Sequence, residues 1–332
     1  MWVARSIAQI SFEIVIRGSD NPKMRLNAIA AALLIGGLLA ASIRLHSAFK
    51  LEALSMHSDG TLVIMAASQD GLVVASDSRQ TIDNATFCDG AEKLLEPARR
   101  DRFLLAVTGR RGFYPSLQFA LGQDVCGYIK HTSREFDLGE VAKKYVEADA
   151  AVDLASFDLL ALSNNCVREL RDYLLANPHR QPIFSGDKFS STVVLASYDP
   201  ATRTAIIRSF EIAVSPDGTA LNTKLGLNET FGPDDFAEPI AIGEQVYLTK
   251  QVLPALKDHP ISATTRQQLG DFPNVNFPRV KDQSLQQAIE VAADLIEAAS
   301  RMTETVPAAS GIGGPLDIRL LGDEPRPVRQ TR

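Results

Sequence analysis

Two apolar, β-rich runs, Thr61–Ser68 and Leu72–Ser76, flank Gln69-Asp70-Gly71 in the segment TLVIMAASQDGLVVASDS. Asp-Gly between two such runs is the strongest short hairpin signal a sequence carries. Further extended stretches are expected over Gln80–Cys88 and Arg102–Val107 (RFLLAV), the second ending at Thr108-Gly109. The period then changes to that of helices. Phe113–Ile129 reads as one helix, and Leu138–Ala176 as one long helix or two. Within it Val141, Tyr145, Ala148, Val152, Ala155 and Leu159 recur at spacings of 4, 3, 4, 3 and 4, one apolar stripe that faces a core. Asn177-Pro178 ends it. Strands return at Ser191–Tyr198 and Thr204–Val214 around Asp199-Pro200-Ala201-Thr202. A stretch rich in Gly, Asn, Asp and Pro, Ser215–Pro239, reads as an excursion. Helices Tyr247–Leu256 and Ser284–Met302 and a last strand, Leu316–Leu321, complete the series. Strands, helices, strands, helices and a strand suit one α+β domain, with helices outside packed sheets, better than a repeating βαβ array.

Upstream the pattern differs. Leu26–Ile43 (LNAIAAALLIGGLLAASI) is an uncharged stretch of 18 residues between Lys23, Arg25 and Arg44. A spanning helix takes about 17–25 apolar residues. The positive flank and the small residues Ala40, Ala41 and Ser42 also fit a secretory signal. Export to the periplasm or the exterior, or single-pass anchoring in a membrane by this N-terminal helix, is therefore expected. Met24, directly before Arg25, is the expected natural start. The organisation that follows is a leader (1–48), a linker or propeptide (49–60), one domain (61–322) and a disordered tail (323–332).

Composition narrows the function classes. The 332 residues carry 34 basic and 40 acidic side chains, a net charge of −6, and are 45% apolar and 22% charged, as in a packed globular protein. No run of five basic residues exists, so no nucleic-acid partner is expected. Cys88, Cys126 and Cys166 form no CxxC pair, which allows at most one disulfide and leaves a thiol over. The five histidines are scattered without metal-site spacing, and no metal or cofactor is expected. GxSxG and P-loop motifs are absent, and GIGG at Gly311–Gly314 precedes a strand instead of following one.

These exclusions leave the Thr61 region. Asp77, Arg79 and Lys93 lie 16, 18 and 32 residues beyond Thr61. A threonine hydroxyl is a poor nucleophile and needs a base within reach. In a chain beginning at Thr61 the residue's own α-amine, with a reference pKa of about 7.7–8.0, can be that base. A lysine beside the hydroxyl favours its ionisation, and a buried aspartate keeps that lysine oriented. Asp77, at the end of an apolar strand, is costly to bury unless paired.

Gly60-Thr61, DGLVVASDSR (Asp70–Arg79) and Lys93-Leu94 together resemble the opening motif of proteasome β subunits and their bacterial relatives, in identical spacing. The resemblance implies an N-terminal nucleophile (Ntn) hydrolase: a four-layer αββα sandwich of two antiparallel sheets, activated by cleavage after Gly60. It makes Thr61 the nucleophile, Asp77 the partner of the lysine, Lys93 the residue that tunes the base, and Arg79 a structural member. AVTG (Ala106–Gly109) resembles the strand end whose glycine N–H forms an oxyanion hole; an ungapped count puts Val107 there, and a two-residue insertion puts Gly109. Two departures stand out. Gly243 is followed by Glu244 and Gln245 where the family carries a serine. The family's Asp-x-x-Ser-Gly has Pro307 in the aspartate's place before Ser310-Gly311, while a register on Gly313-Gly314 puts Ser310 there. Ser310 is carried over on that basis. The implied substrate is a peptide or small amide, and self-association into a homo-oligomer follows by analogy. The alternative is a catalytically silent assembly or binding protein that never frees Thr61.

Overall fold

Strands β1 (Leu62–Ser68) and β2 (Gly71–Ser76) pair antiparallel from Ser68↔Gly71 to Val63↔Ser76, with Gln69 and Asp70 as the turn. Gly71 is required here by crowding. A Cβ on it would lie 2.4 Å from the Leu321 carbonyl oxygen of the neighbouring strand. The computed structural model describes residues 61–82, 86–97, 103–115, 124–149, 154–178, 190–214, 221–305, 311–322 and 327–328. All of them belong to one of the chain's two compact units, Ala53–Arg332. The expected leader, its apolar segment and the linker lie outside the described residues. Among the described residues no helix is long and apolar enough to cross a membrane.

The remaining elements run in order. β3 (Gln80–Ile82) and β4 (Thr86–Cys88) form a short hairpin where one extended stretch was expected. β5 (Leu94–Leu95), β6 (Phe103–Gly109), β7 (Gly112–Phe113), α1 (Val125–His131) and β8 (Phe136–Asp137) follow. Then come α2 (Leu138–Ala148), α3 (Leu159–Ala176), β9 (Ser190–Asp199), β10 (Thr204–Val214), β11 (Leu221–Phe231) and β12 (Ile240–Gly243). A helical run from Gln245 contains a π turn at Leu248–Val252. It is followed by α4 (Ala263–Leu269), α5 (Leu285–Thr305), β13 (Asp317–Gly322) and β14 (Pro327–Val328). β14, which pairs with β13, falls in the stretch expected to be a tail.

Two five-stranded antiparallel sheets result, β12-β1-β2-β13-β14 and β11-β10-β9-β6-β5. Val63, Met65 and Val74 of the first pack with Leu104, Val194 and Ala196 of the second in one apolar layer. The alternate residues Leu62, Ile64 and Ala66 turn to the other face, where α5 lies along β1 and β2. β1 is buried on both faces, so its sequence is one unbroken apolar run instead of an alternation. Leu138, Ala142 and Val146 of α2 and Leu162, Cys166 and Leu170 of α3 cover the outer face of the second sheet. The fold is thus α+β, with antiparallel sheets throughout.

Three differences from the sequence reading have clear causes. Phe113, expected to open a helix, instead ends β7, where it pairs with Phe136 of β8. Of the two readings of the next stretch, one long helix or two, the structure has two, α2 and α3, with Asp158 capping α3 by accepting from the Ala161 N–H at 2.9 Å. The assumed stripe therefore does not run through: Ala148 and Ala155 are exposed. The polar excursion holds β11, an edge strand that leaves alternate residues open to solvent. Where its register with β10 shifts, the Ser209 hydroxyl accepts from the Leu227 N–H at 2.8 Å.

Candidate active site

Thr61 precedes β1 and is 4% exposed. Its carbonyl oxygen accepts the Glu244 N–H at 3.1 Å, directly beyond the pair Leu62↔Gly243 that joins β1 to β12. The approach is close: Gly243 has φ +97°, and a Cβ on it would collide with the Thr61 oxygen, 1.9 Å away. Only glycine fits there.

Asp77 follows β2 and is fully buried. Its N–H donates to the Leu62 oxygen at 3.3 Å. Its Oδ1 accepts from the Leu62 N–H and from Lys93 Nζ, both at 2.9 Å. Its Oδ2 accepts from the Gly313 N–H at 3.1 Å and from the Arg79 N–H at 3.3 Å. Four donors thus converge on one carboxylate, three of them from the main chain. Lys93, 6% exposed, is held in turn by pairing of β5 with β6, its oxygen accepting the Val107 N–H at 3.4 Å. Burial pushes the Asp77 carboxyl up and the Lys93 ammonium down from their ordinary values, and each opposes the shift of the other. The outcome is an ammonium that gives up its proton more readily than an exposed lysine does.

Arg79 Nε pairs with Asp89 Oδ1 at 2.9 Å, and its N–H and that of Ser78 both reach the Gly313 oxygen, at 2.9 and 3.1 Å. Its guanidinium lies against Gly313, where a Cβ would fall 2.5 Å from Cζ. Gly109 ends β6 with φ +76°, and a Cβ there would come within 2.3 Å of the Ser190 oxygen. Val107, the other oxyanion candidate, has its N–H turned to Lys93. Ser310 lies outside the described residues. The structure therefore ties the Asp77–Lys93 pair to Leu62, the residue after Thr61, with Arg79 braced beside Asp77.

Ser78 was not singled out for this site from the sequence, and Gly313 entered there only as a register mark for Ser310, not as a donor to Asp77. Main-chain donors have no residue signature, but a glycine pair directly before a strand is a sign of close approach. A cavity of about 360 Å³ opens on the side of Asp89, lined also by Gln80, Ala91, Glu92, Tyr114 and Arg134 and not by Thr61, Asp77 or Lys93. The Cys88–Cys126 disulfide, which ties β4 to α1, forms part of its wall. Among the described residues no cluster of His, Cys, Asp or Glu is arranged to hold a metal ion.

No protein-family model and no curated protein matches the chain. Solved structures similar to it include "Anbu (ancestral beta-subunit) from Yersinia bercovieri", at 12% identity and a TM-score of 0.40, over 82% of this chain and 88% of that one. Another is "Helical Assembly of the Anbu Complex from Pseudomonas aeruginosa", at 16% identity and a TM-score of 0.42, over 82% and 87%. These findings correct the family reading of the sequence, an exported or membrane-anchored relative of proteasome β subunits. The similar structures are named for a distinct group, Anbu, and no membrane span is found among the described residues.

Proposed function

We propose that the chain is a threonine-type N-terminal nucleophile hydrolase of peptide or small amide bonds, activated by cleavage between Gly60 and Thr61. The observation that carries this reading is the Asp77 carboxylate, bonded at once to Lys93 Nζ and to the N–H of the residue after Thr61. A pair so buried fixes the lysine against the start of β1, where a nucleophile on Thr61 would stand. The layering of helix, sheet, sheet and helix supports an αββα sandwich of the Ntn type for residues 61–322.

In this reading the freed α-amine takes the proton of the Thr61 hydroxyl, and the oxygen attacks the amide carbon. Lys93, held by Asp77, favours the alkoxide electrostatically. The Gly109 N–H is assigned to the oxyanion, a donor that typically contributes about 2.7–4 kcal/mol. The tetrahedral intermediate collapses as the α-ammonium returns that proton to the departing amine, and water, deprotonated in turn by the α-amine, then hydrolyses the ester and frees the Thr61 hydroxyl. Arg79 braces the Asp77 loop, and Ser310 is assigned to the surroundings of the amine. The Cys88–Cys126 bond supports maturation in an oxidising compartment.

Intact-mass measurement of the matured protein, with a Thr61→Ala comparison on fluorogenic peptides, tests the reading. The expected result is a chain beginning at Thr61 and loss of turnover in the variant. A matured chain that begins earlier, or equal turnover by both proteins, overturns it.

A further inference from the structure

The cavity beside Asp89 has two walls of different build. One is the chain from β4 towards β5, which carries Cys88, Asp89 and Ala91. Main-chain donors fasten it to the turn after β2: the Ala91 N–H donates to the Ser78 oxygen at 2.8 Å and the Gly90 N–H to Ser78 Oγ at 3.3 Å. Asp89 adds its ion pair with Arg79. The other wall is α1, which supplies Cys126, Ile129 and Lys130. α1 has seven residues and buries none of them. A helix that short is marginal by itself in water, and without a buried face it gains little from packing. Its position rests on its ties. Near its start the Cys88–Cys126 disulfide joins it to β4. Beyond its end Arg134 bonds to Asp137 at 3.0 Å and to Gln80 Oε1 at 3.3 Å, with its guanidinium 5.0 Å from the centre of the Tyr114 ring. One end is held by noncovalent contacts, the other by a covalent bond that redox chemistry can break and remake.

We propose that the Cys88–Cys126 disulfide is a redox clasp on this cavity: a dithiol reductant releases the α1 wall, which turns away about its Arg134 end while both sheets stay folded, and a disulfide oxidant closes it again. Both cysteines line the cavity, and Cys126 is the more open of the two, half-buried against 5% exposure for Cys88. A thiolate of the dithiol therefore attacks Cys126 Sγ, the S–S bond breaks, and Cys88 leaves as a thiolate that takes up a proton. The second thiol of the reductant, deprotonated, then attacks the reductant sulfur bonded to Cys126 and displaces the Cys126 thiolate, which is protonated in turn. Two electrons and two protons pass to the protein, and the dithiol becomes a disulfide. The β4 wall stays in place, because Ser78 and Arg79 hold it whether the clasp is open or closed. Cys166, buried on α3, takes no part. Nothing in this depends on cleavage at Thr61.

The experiment treats the protein with dithiothreitol in the absence of denaturant and removes the reductant without admitting air. One portion then receives a brief trypsin digestion and another iodoacetamide, and both are read by mass. Cleavage after Lys130, exposed in the last turn of α1, is expected to become about tenfold faster or more on reduction. Cys126 is expected to be alkylated and Cys166 to remain untouched. Glutathione disulfide added to the reduced protein should restore the slow cleavage. A double variant, Cys88→Ser with Cys126→Ser, should be cut at the fast rate without reductant and be indifferent to dithiothreitol. A rate at Lys130 that reduction leaves unchanged overturns the proposal, as does an unlabelled Cys126. Labelling of Cys166, or cutting at Arg208 in β10 as fast as at Lys130, would show that the whole domain opens, and overturns it equally. The measurements on the wild-type protein decide the matter even if the double variant does not fold.

Discussion

The Asp77 oxygen that accepts the Lys93 ammonium at 2.9 Å is the same Oδ1 that accepts the Leu62 N–H at 2.9 Å. The charge pair is thereby joined to the main chain at the start of β1, and the two partners are not equivalent. Removing the lysine leaves a buried carboxylate that still has three N–H donors. Removing the aspartate strands the ammonium and those donors as well.

Lys93→Met is therefore expected to destabilise the protein by about 3–5 kcal/mol. Asp77→Ala is expected to do more, because the Leu62 and Gly313 N–H groups lose their acceptor at about 1–3 kcal/mol each. The double variant should lose less than the sum of the two. Urea unfolding of the four proteins measures all three differences. A Lys93→Met variant at least as destabilised as Asp77→Ala would contradict the asymmetry.

The parts of this arrangement that side-chain identity carries were legible in the sequence. Apolar runs buried on both faces, interrupted by Asp-Gly, gave β1 and β2. The positions of Thr61, Asp77 and Lys93 relative to those strands pointed to one site. Gly313 was legible only as a register mark for Ser310, and its bond to Asp77 was not, since that contribution is a peptide N–H that any residue but proline possesses. Its close contact with Arg79 joins residues 234 positions apart in sequence. β11 was missed for another reason. Lys224, Asn228 and Glu229 are poor strand formers, and the strand exists through its ladder with β10. The α2–α3 stripe failed because periodicity says nothing about where a helix stops. Asp149 ends one helix and Asp158 begins the next.

Asp137 offers a test with a definite sign in pH. Burial raises its carboxyl, but the Arg111 hydrogen bond at 2.7 Å and the charges of Arg111 and Arg134 outweigh this and hold it below its ordinary 3.8. A carboxylate lowered in the folded state contributes stability above its unfolded value, lost as pH falls through the folded one. Asp137→Asn, which preserves the cap on α2 but not the charge, is expected to lose about 1–3 kcal/mol near neutral pH. That deficit should shrink as pH drops below 3.8. Denaturant unfolding at a series of pH values reads this directly, and a deficit independent of pH would argue against the ion pairs.

The thiol chemistry should divide sharply between the folded and unfolded states. Cys166 lies on the buried face of α3, and burial, with a smaller contribution from Glu169, pushes its thiol up to about 12. Thiolate is the reacting form, so the folded protein at pH 8 should resist iodoacetamide. Unfolding without reductant should expose one alkylatable thiol, and unfolding with reductant three, as Cys88 and Cys126 separate. Mass measurement counts them. Rapid labelling of Cys166 in the native protein would mean that α3 opens readily.

Gly243 and Gly90 share a left-handed backbone but differ in what surrounds them. Gly90 has φ +91° and open space for 4 Å around the point where a Cβ would stand, whereas at Gly243, φ +97°, that point is 1.9 Å from the Thr61 oxygen. An alanine at either site meets the strain of the left-handed conformation, about 1–2 kcal/mol. At Gly90 the penalty should end there. At Gly243 the methyl group must also push β12 away from Thr61, breaking the Glu244 N–H contact. Gly243→Ala is thus expected to lose clearly more stability than Gly90→Ala. If Thr61 is the nucleophile, it should also reduce kcat by about a hundredfold through displacement of the reacting group. Thermal unfolding of both variants and turnover by the first provide the readout. Equal destabilisation by the two would show that β12 can move aside freely, and the close contact at Thr61 would then have no part in fixing the site.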